Sequence, residues 1–142
     1  MANRSERKAL VARAVRAKAH AYAPYSQFRV GAALLADDGT IYEGCNVENS
    51  SYSLTICAER NAVFQAAAHG KTRFRAIAIA SDDPGFLTPC GACRQVLSEF
   101  NPSIEIILTT ADGRTRLTSL AALFPLPADL KKLAGINSLK RR

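Results

Sequence analysis

The stretch FRAIAIAS, residues 74–81, constrains this chain more than any other. Its apolar residues fall on both sides of a two-residue alternation, so a strand built from it must be covered on both faces. The flanking segments supply the cover. CAERNAVFQAAAHG (57–70) reads as a helix closed by Gly70, and the segment from Cys90 to Phe100 reads as another, stopped by Asn101-Pro102. Upstream, residues 4–22 place Leu10, Val11, Ala14, Val15 and Ala19 on one helical stripe, with Arg7, Arg13, Arg16 and Lys18 mostly elsewhere. FRVGAALLA (28–36) and IYEGCNV (41–47) read as strands joined by DDGT, a hairpin signal. IEIILTT (104–110) is a further strand, ADGRTR turns into a short strand around Thr115 to Leu117, and LTSLAALF and PADLKKLA read as short terminal helices. The order α-β-β-α-β-α-β-β-α predicts an α/β fold: a mixed five-stranded sheet in a three-layer α-β-α arrangement, helices on both faces.

Length fits this reading. A chain of 142 residues builds one core, so residues 1–142 form a single expected domain, with about 1–5 and 134–142 as basic tails free to be flexible. No apolar run approaches the roughly 20 residues of a membrane span, and the basic N-terminus has no apolar signal core. A cytoplasmic protein without a membrane partner is the expectation. The net charge of +7 does not argue for nucleic acid, because it sits at the ends. Residues 1–18 hold six Lys or Arg and residues 131–142 hold five, whereas residues 19–130 carry eight against eleven Asp and Glu. Solvated helix faces and tails account for such ends, so no specific nucleic-acid partner is expected.

Four cysteines, Cys45, Cys57, Cys90 and Cys93, remain to be explained. Two disulfides fit poorly with a cytosolic chain, and a redox Cys-x-x-Cys stays open on spacing alone. Cys57 and Cys90 both open predicted helices, and ligands gather where strands hand over to helix starts. Cys90 and Cys93 share a helix face. Cys57 and Glu59, two apart, reach one pocket only if Cys57 sits at the first turn, outside helical dihedrals, and that placement is predicted. Three thiolates at about 2.3 Å leave Zn²⁺ with one open position, the pattern of a catalytic site. Cys45 on a strand, His69 roughly 18 Å along its helix and His20 at the end of the first helix are poor candidates for a fourth ligand. Three thiolates also leave the site formally −1. The two helix N-termini and Arg60, beside a ligand, offset that charge. Arg94 stands equally well as a surface arginine. Glu59 is placed to take a proton from a metal-activated water and return it to a substrate nitrogen.

Four motifs in order, YAPYSQFRVGAALL, GCNVENSSYS, CAERNAVF and PCGACRQV, resemble the small homotetrameric zinc-dependent cytidine deaminases. The resemblance spans about Tyr22 to Leu108. It implies a cytidine deaminase-like fold, Zn²⁺ on Cys57, Cys90 and Cys93, Glu59 as proton shuttle, and a homotetramer. It further implies that Asn46 and Glu48 bind the ribose hydroxyls of a nucleoside substrate, that Phe28 packs on the pyrimidine, and that the Ala58 backbone sits against the base. An amide and a carboxylate two apart on a strand share a face and make a fork for a sugar hydroxyl. Phe28 reads equally as plain core until the resemblance is added. AALFPLPADL departs from the family pattern: Phe124 precedes Pro125 and no aromatic follows, so an inter-subunit lid over the base and a strict preference for cytidine are not carried over. The implied reaction is hydrolysis of cytidine and 2′-deoxycytidine to the uridines, in pyrimidine salvage. Two alternatives are a blasticidin S-type aminopyrimidine deaminase and a structural zinc module closed by a fourth protein ligand.

Overall fold

The alternation in FRAIAIAS decides how the layers stack. In the computed structural model, which describes residues 1–133, this segment is β3 (Phe74–Ser81), the middle strand of a five-stranded sheet. The order is β2 (Ile41–Cys45), β1 (Val30–Ala36), β3, β4 (Glu105–Thr109) and β5 (Thr115–Ser119). β1 runs antiparallel to both neighbours, β3 and β4 are parallel, and β5 returns antiparallel. The mixed three-layer expectation is met.

The two faces of β3 differ in side-chain size, and the layers follow. Ile77 and Ile79 join Leu34, Ile106 and Leu108 beneath α2 (Ala58–Ala68) and α3 (Gly91–Phe100). Ala76, Ala78 and Ala80 point the other way, with Ala33, Leu35 and Ile107, beneath α1 (Arg4–Lys18). Alanines there let α1 lie close. At Gly31 an added Cβ would fall 2.1 Å from the Ala14 carbonyl, so only glycine fits. α1 begins with a reciprocal cap in which Asn3 accepts from Glu6 N–H and Glu6 accepts from Asn3 N–H, and Ala2 is buried.

Several boundaries move. α1 ends at Lys18 instead of running to residue 22, because Tyr22 pairs with Val47 in an isolated parallel bridge, donating to Asn46 O and accepting from Glu48 N. Its buried stripe is Leu10, Ala14 and Ala17, and Val15 is 46% exposed. β2 stops at Cys45, so Asn46 and Glu48 lie just beyond the strand. β5 extends to Ser119, and α4 is one turn, Leu120–Leu123. The last helix, α5, spans Leu130–Leu133; residues 134–142, including the expected C-terminal tail, lie outside the described residues. Among the described residues no helix is long and apolar enough to cross a membrane.

Candidate metal centre and active site

Two helix starts converge on one point. Cys57 is the N-cap of α2 and Cys90 the N-cap of α3, both in extended backbone (ψ 157° and 169°) and neither side chain capping its own helix. Cap geometry frees Cys57 from helical projection, as the pairing with Glu59 requires. Their sulfurs stand 3.8 Å apart, and with the buried Cys93 all three lie within 4.8 Å of one another. A disulfide needs about 2.05 Å, so these thiols are separate. Two sulfurs each about 2.3 Å from a tetrahedral ion lie about 3.8 Å apart, which fits zinc.

Among the described residues no other Cys, His, Asp or Glu joins this cluster. Cys45 packs at the end of β2, where burial pushes its thiol up. His69 caps the far end of α2, its Nδ1 within 2.8 Å of Gln65 O and its ring tilted against Tyr42. His20 lies in the turn after α1. Three protein sulfurs leave a tetrahedral ion one position for solvent or substrate, the opposite of a closed structural site.

Electrostatics supply what three thiolates need. Without a metal, a hydrogen bond from Cys93 draws the Cys57 thiol down to about 5 against its burial, and Arg60 Nη2, donating to Cys57 Sγ at 3.5 Å, helps. Cys93 moves in the opposite direction, upward, because its proton is the one Cys57 accepts and because it is buried. Arg60 Nε is buried with no hydrogen-bond partner among the described residues, while Nη2 is the nitrogen that reaches Cys57 Sγ. Both helix N-termini add partial positive charge at the same point. Glu59, 4% exposed, is pushed up to about 7 mainly by burial, with the Cys57 thiolate adding to the rise. A carboxyl with that pKa gives and takes protons near neutrality.

Of the other expected residues, Ala58 directly follows Cys57 in the chain. Ala58 is fully buried at the first position of α2. Phe28 is partly buried against the core cluster that contains Ala58. Asn46 does not stand on a free strand edge: its Oδ1 accepts from Val30 N and its Nδ2 donates to Phe28 O, both at 2.8 Å. One amide N–H and one lone pair are left for a ligand. Glu48 Oε1 accepts from Tyr25 N and Ser26 N at 2.9 and 3.1 Å. Glu48 also borders a cleft of about 400 Å³ lined by Tyr25, Ser26, Tyr52 and Thr55.

Two positioning features were not anticipated from the residues. Asn61 Nδ2 donates to Cys45 O at 2.8 Å and ties α2 to the end of β2. An asparagine in a first helical turn, poor for helix interiors, was the available signal. Arg94, read from the sequence as equally a surface residue, is part-buried and donates to Pro89 O, Leu123 O and Thr88 Oγ1 at 2.7, 2.7 and 3.0 Å. Its spacing carried no sign of these acceptors.

Comparison with known proteins agrees with this geometry. Residues 4–109 match the family model described as the cytidine and deoxycytidylate deaminase zinc-binding region. The chain is 53% identical over 117 residues to a cytidine deaminase of Sporosarcina psychrophila, covering 82% of this chain and 86% of that protein. It is 50% identical over 112 residues to the cytidine deaminase of Mycobacterium tuberculosis H37Rv, covering 79% and 81%. The crystal structure of cytidine deaminase from Burkholderia pseudomallei superposes with a TM-score of 0.82 at 48% identity, covering 85% of this chain and 98% of that one. With three cysteine sulfurs close enough to share one metal ion, a buried glutamate beside them and relatives of this closeness, the chain belongs to the zinc-dependent cytidine and deoxycytidylate deaminase family.

Proposed function

We propose that this protein hydrolyses cytidine and 2′-deoxycytidine to uridine and 2′-deoxyuridine, releasing ammonia, in pyrimidine salvage. The observation that carries the reading is the buried Glu59 next to a three-sulfur site that no fourth protein ligand closes among the described residues. Cys57, Cys90 and Cys93 would hold the zinc ion, which would supply Lewis-acid activation of a water molecule. Glu59 takes that water's proton as its oxygen adds to C4 of the ring, and delivers the proton to N3. The second proton passes through the same carboxylate to the 4-amino group. The C4–N4 bond breaks and ammonia leaves, so cytidine and water become uridine and ammonia. Arg60 moderates the thiolate charge throughout, from its bond to Cys57.

Substrate placement is assigned to Phe28, Asn46, Glu48 and the Ala58 backbone. Phe28 offers a face to the pyrimidine. The spare donor and acceptor of Asn46 and the carboxylate of Glu48 suit ribose hydroxyls. This sugar fork favours a ribose-like sugar over the blasticidin S-type alternative. The open coordination place disfavours a purely structural zinc module. A homotetramer is assigned as the working form: Tyr22, Tyr25, Val47, Tyr52 and Leu54 are exposed around Glu48, with Tyr52 at 76%, an apolar surface of the kind subunits cover. A cytoplasmic location fits four free cysteines, three of them clustered yet unbridged.

An ammonia-release assay on cytidine, deoxycytidine, cytosine and blasticidin S, with and without a chelator, tests the assignment. Chelator-sensitive release from the two nucleosides supports it. Release from blasticidin S alone, or release indifferent to metal removal, overturns it.

A further inference from the structure

We propose that Arg94 is the positioning residue that keeps Cys90 in the metal's coordination sphere, by locking the Thr88–Pro89 turn to the end of α4. The inference rests on the zinc reading of the three cysteines. Cys90 is the exposed member of the trio, whereas Cys93 is buried and Cys57 is half-covered and holds Arg60. As an N-cap without a side-chain cap bond, Cys90 depends on the turn that precedes it for its place. That turn is held by one guanidinium. Nε donates to Pro89 O, Nη2 to Thr88 Oγ1 and Nη1 to Leu123 O, so all three nitrogens of the planar fork are engaged.

The Pro89 carbonyl shares a rigid peptide unit with the Cys90 nitrogen, so fixing the first fixes where Cys90 starts. The Leu123 carbonyl is one of the unpaired acceptors at the end of α4, and Arg94 supplies its donor. The ligand turn is thereby fastened to a second element that Phe124 anchors in the core. Lysine, a compact point charge, cannot engage three divergent acceptors from one plane.

The test uses the full-length zinc-loaded protein and R94K, with T88V removing a single one of the three contacts. Zinc release is followed with a chromogenic chelator, the thiolate-to-metal spectrum of the cobalt-substituted protein is recorded, and melting is measured with and without metal. Supporting partners of metal ligands typically change affinity by about 10–100-fold, so R94K should release zinc faster by that range, with T88V shifted less in the same direction. The cobalt spectrum of R94K should change, and the rise in melting temperature that zinc confers should shrink while the metal-free melting temperature stays near the parent's. Equal release rates and spectra in parent and both variants overturn the role for Arg94. So does a metal-free melting loss as large as the loaded one, which would make Arg94 a general brace. A failure of R94K to fold leaves T88V to decide by the same readouts. A parent protein that holds no zinc overturns the metal centre itself, and the proposal with it.

Discussion

Gly44 sets the distance between β2 and the helix that carries Cys57 and Glu59, and Gly44→Ala should damage both stability and turnover. A Cβ at Gly44 would fall 2.4 Å from Ala58 O and 2.4 Å from Ala62 N, with Ala62 Cα at 3.0 Å. All three obstacles are backbone, so no side chain can swing aside. Ordinary contact begins near 3.4 Å, which requires α2 to retreat by about 1 Å. Overpacking of this kind costs about 1–3 kcal/mol, and a rigid obstacle puts Gly44→Ala toward the upper end. For a chain of this length that is a melting loss of roughly 5–12 °C. The same 1 Å displaces Glu59 from the reacting centre, and a misplacement of that size costs on the order of 10²-fold in turnover. Gly91→Ala is the internal control, since a Cβ there meets nothing within 4 Å among the described residues and its backbone is ordinary. Its melting temperature should stay near the parent's. Differential scanning calorimetry and ammonia-release kinetics on both variants decide the matter. A Gly44→Ala protein that melts and turns over like the parent would refute the close-packing argument.

Three further outcomes are expected. The hydrogen bond from Cys93 does most to hold the Cys57 thiol down and Arg60 adds to it, so Arg60→Ala lets Cys57 protonate at higher pH and zinc is lost at a higher pH than in the parent, as metal content after equilibration across pH 4–8 will report. Asp82 is held at about 2, because its bonds from Arg29 and Lys18 outweigh its burial. A depressed carboxylate stabilises the fold above its unfolded value and loses that contribution as pH falls from about 4 to about 2, so Asp82→Asn should flatten the acid decline of melting temperature over that window. Asn46→Asp would set a carboxylate against the Phe28 carbonyl that Asn46 now serves as donor, costing about 1–3 kcal/mol of stability and raising KM for cytidine more than it lowers kcat.

What the sequence disclosed followed from periodicity and chain punctuation. The both-faced apolarity of residues 74–81 located the central strand to the residue, and the Asp-Gly turn located the β1–β2 hairpin, where Gly39 takes a φ of +90°. Gly70, at φ +76°, ended α2 as its position foretold. The requirement that Cys57 and Glu59 share a pocket forced Cys57 onto a helix cap, and the structure has it there. Missed features depend on tertiary partners that no local pattern encodes. α1 stops at Lys18 because Tyr22 finds Val47, a residue 25 positions away. Asn46 spends half its amide on the Phe28 and Val30 backbone, a use invisible from its neighbours in sequence. Arg94 looked like any surface arginine, since its acceptors come from a turn before it and from a helix end 29 residues after it.

Glu59→Gln tests the central claim most directly, because glutamine keeps the shape of the side chain but cannot carry the proton. Zinc content and kcat on cytidine should be measured on the same preparation. The account predicts about one zinc per chain, as in the parent, with kcat lower by roughly 10²–10⁴-fold. A Glu59→Gln protein that holds its zinc and turns over at the parent's rate would contradict it.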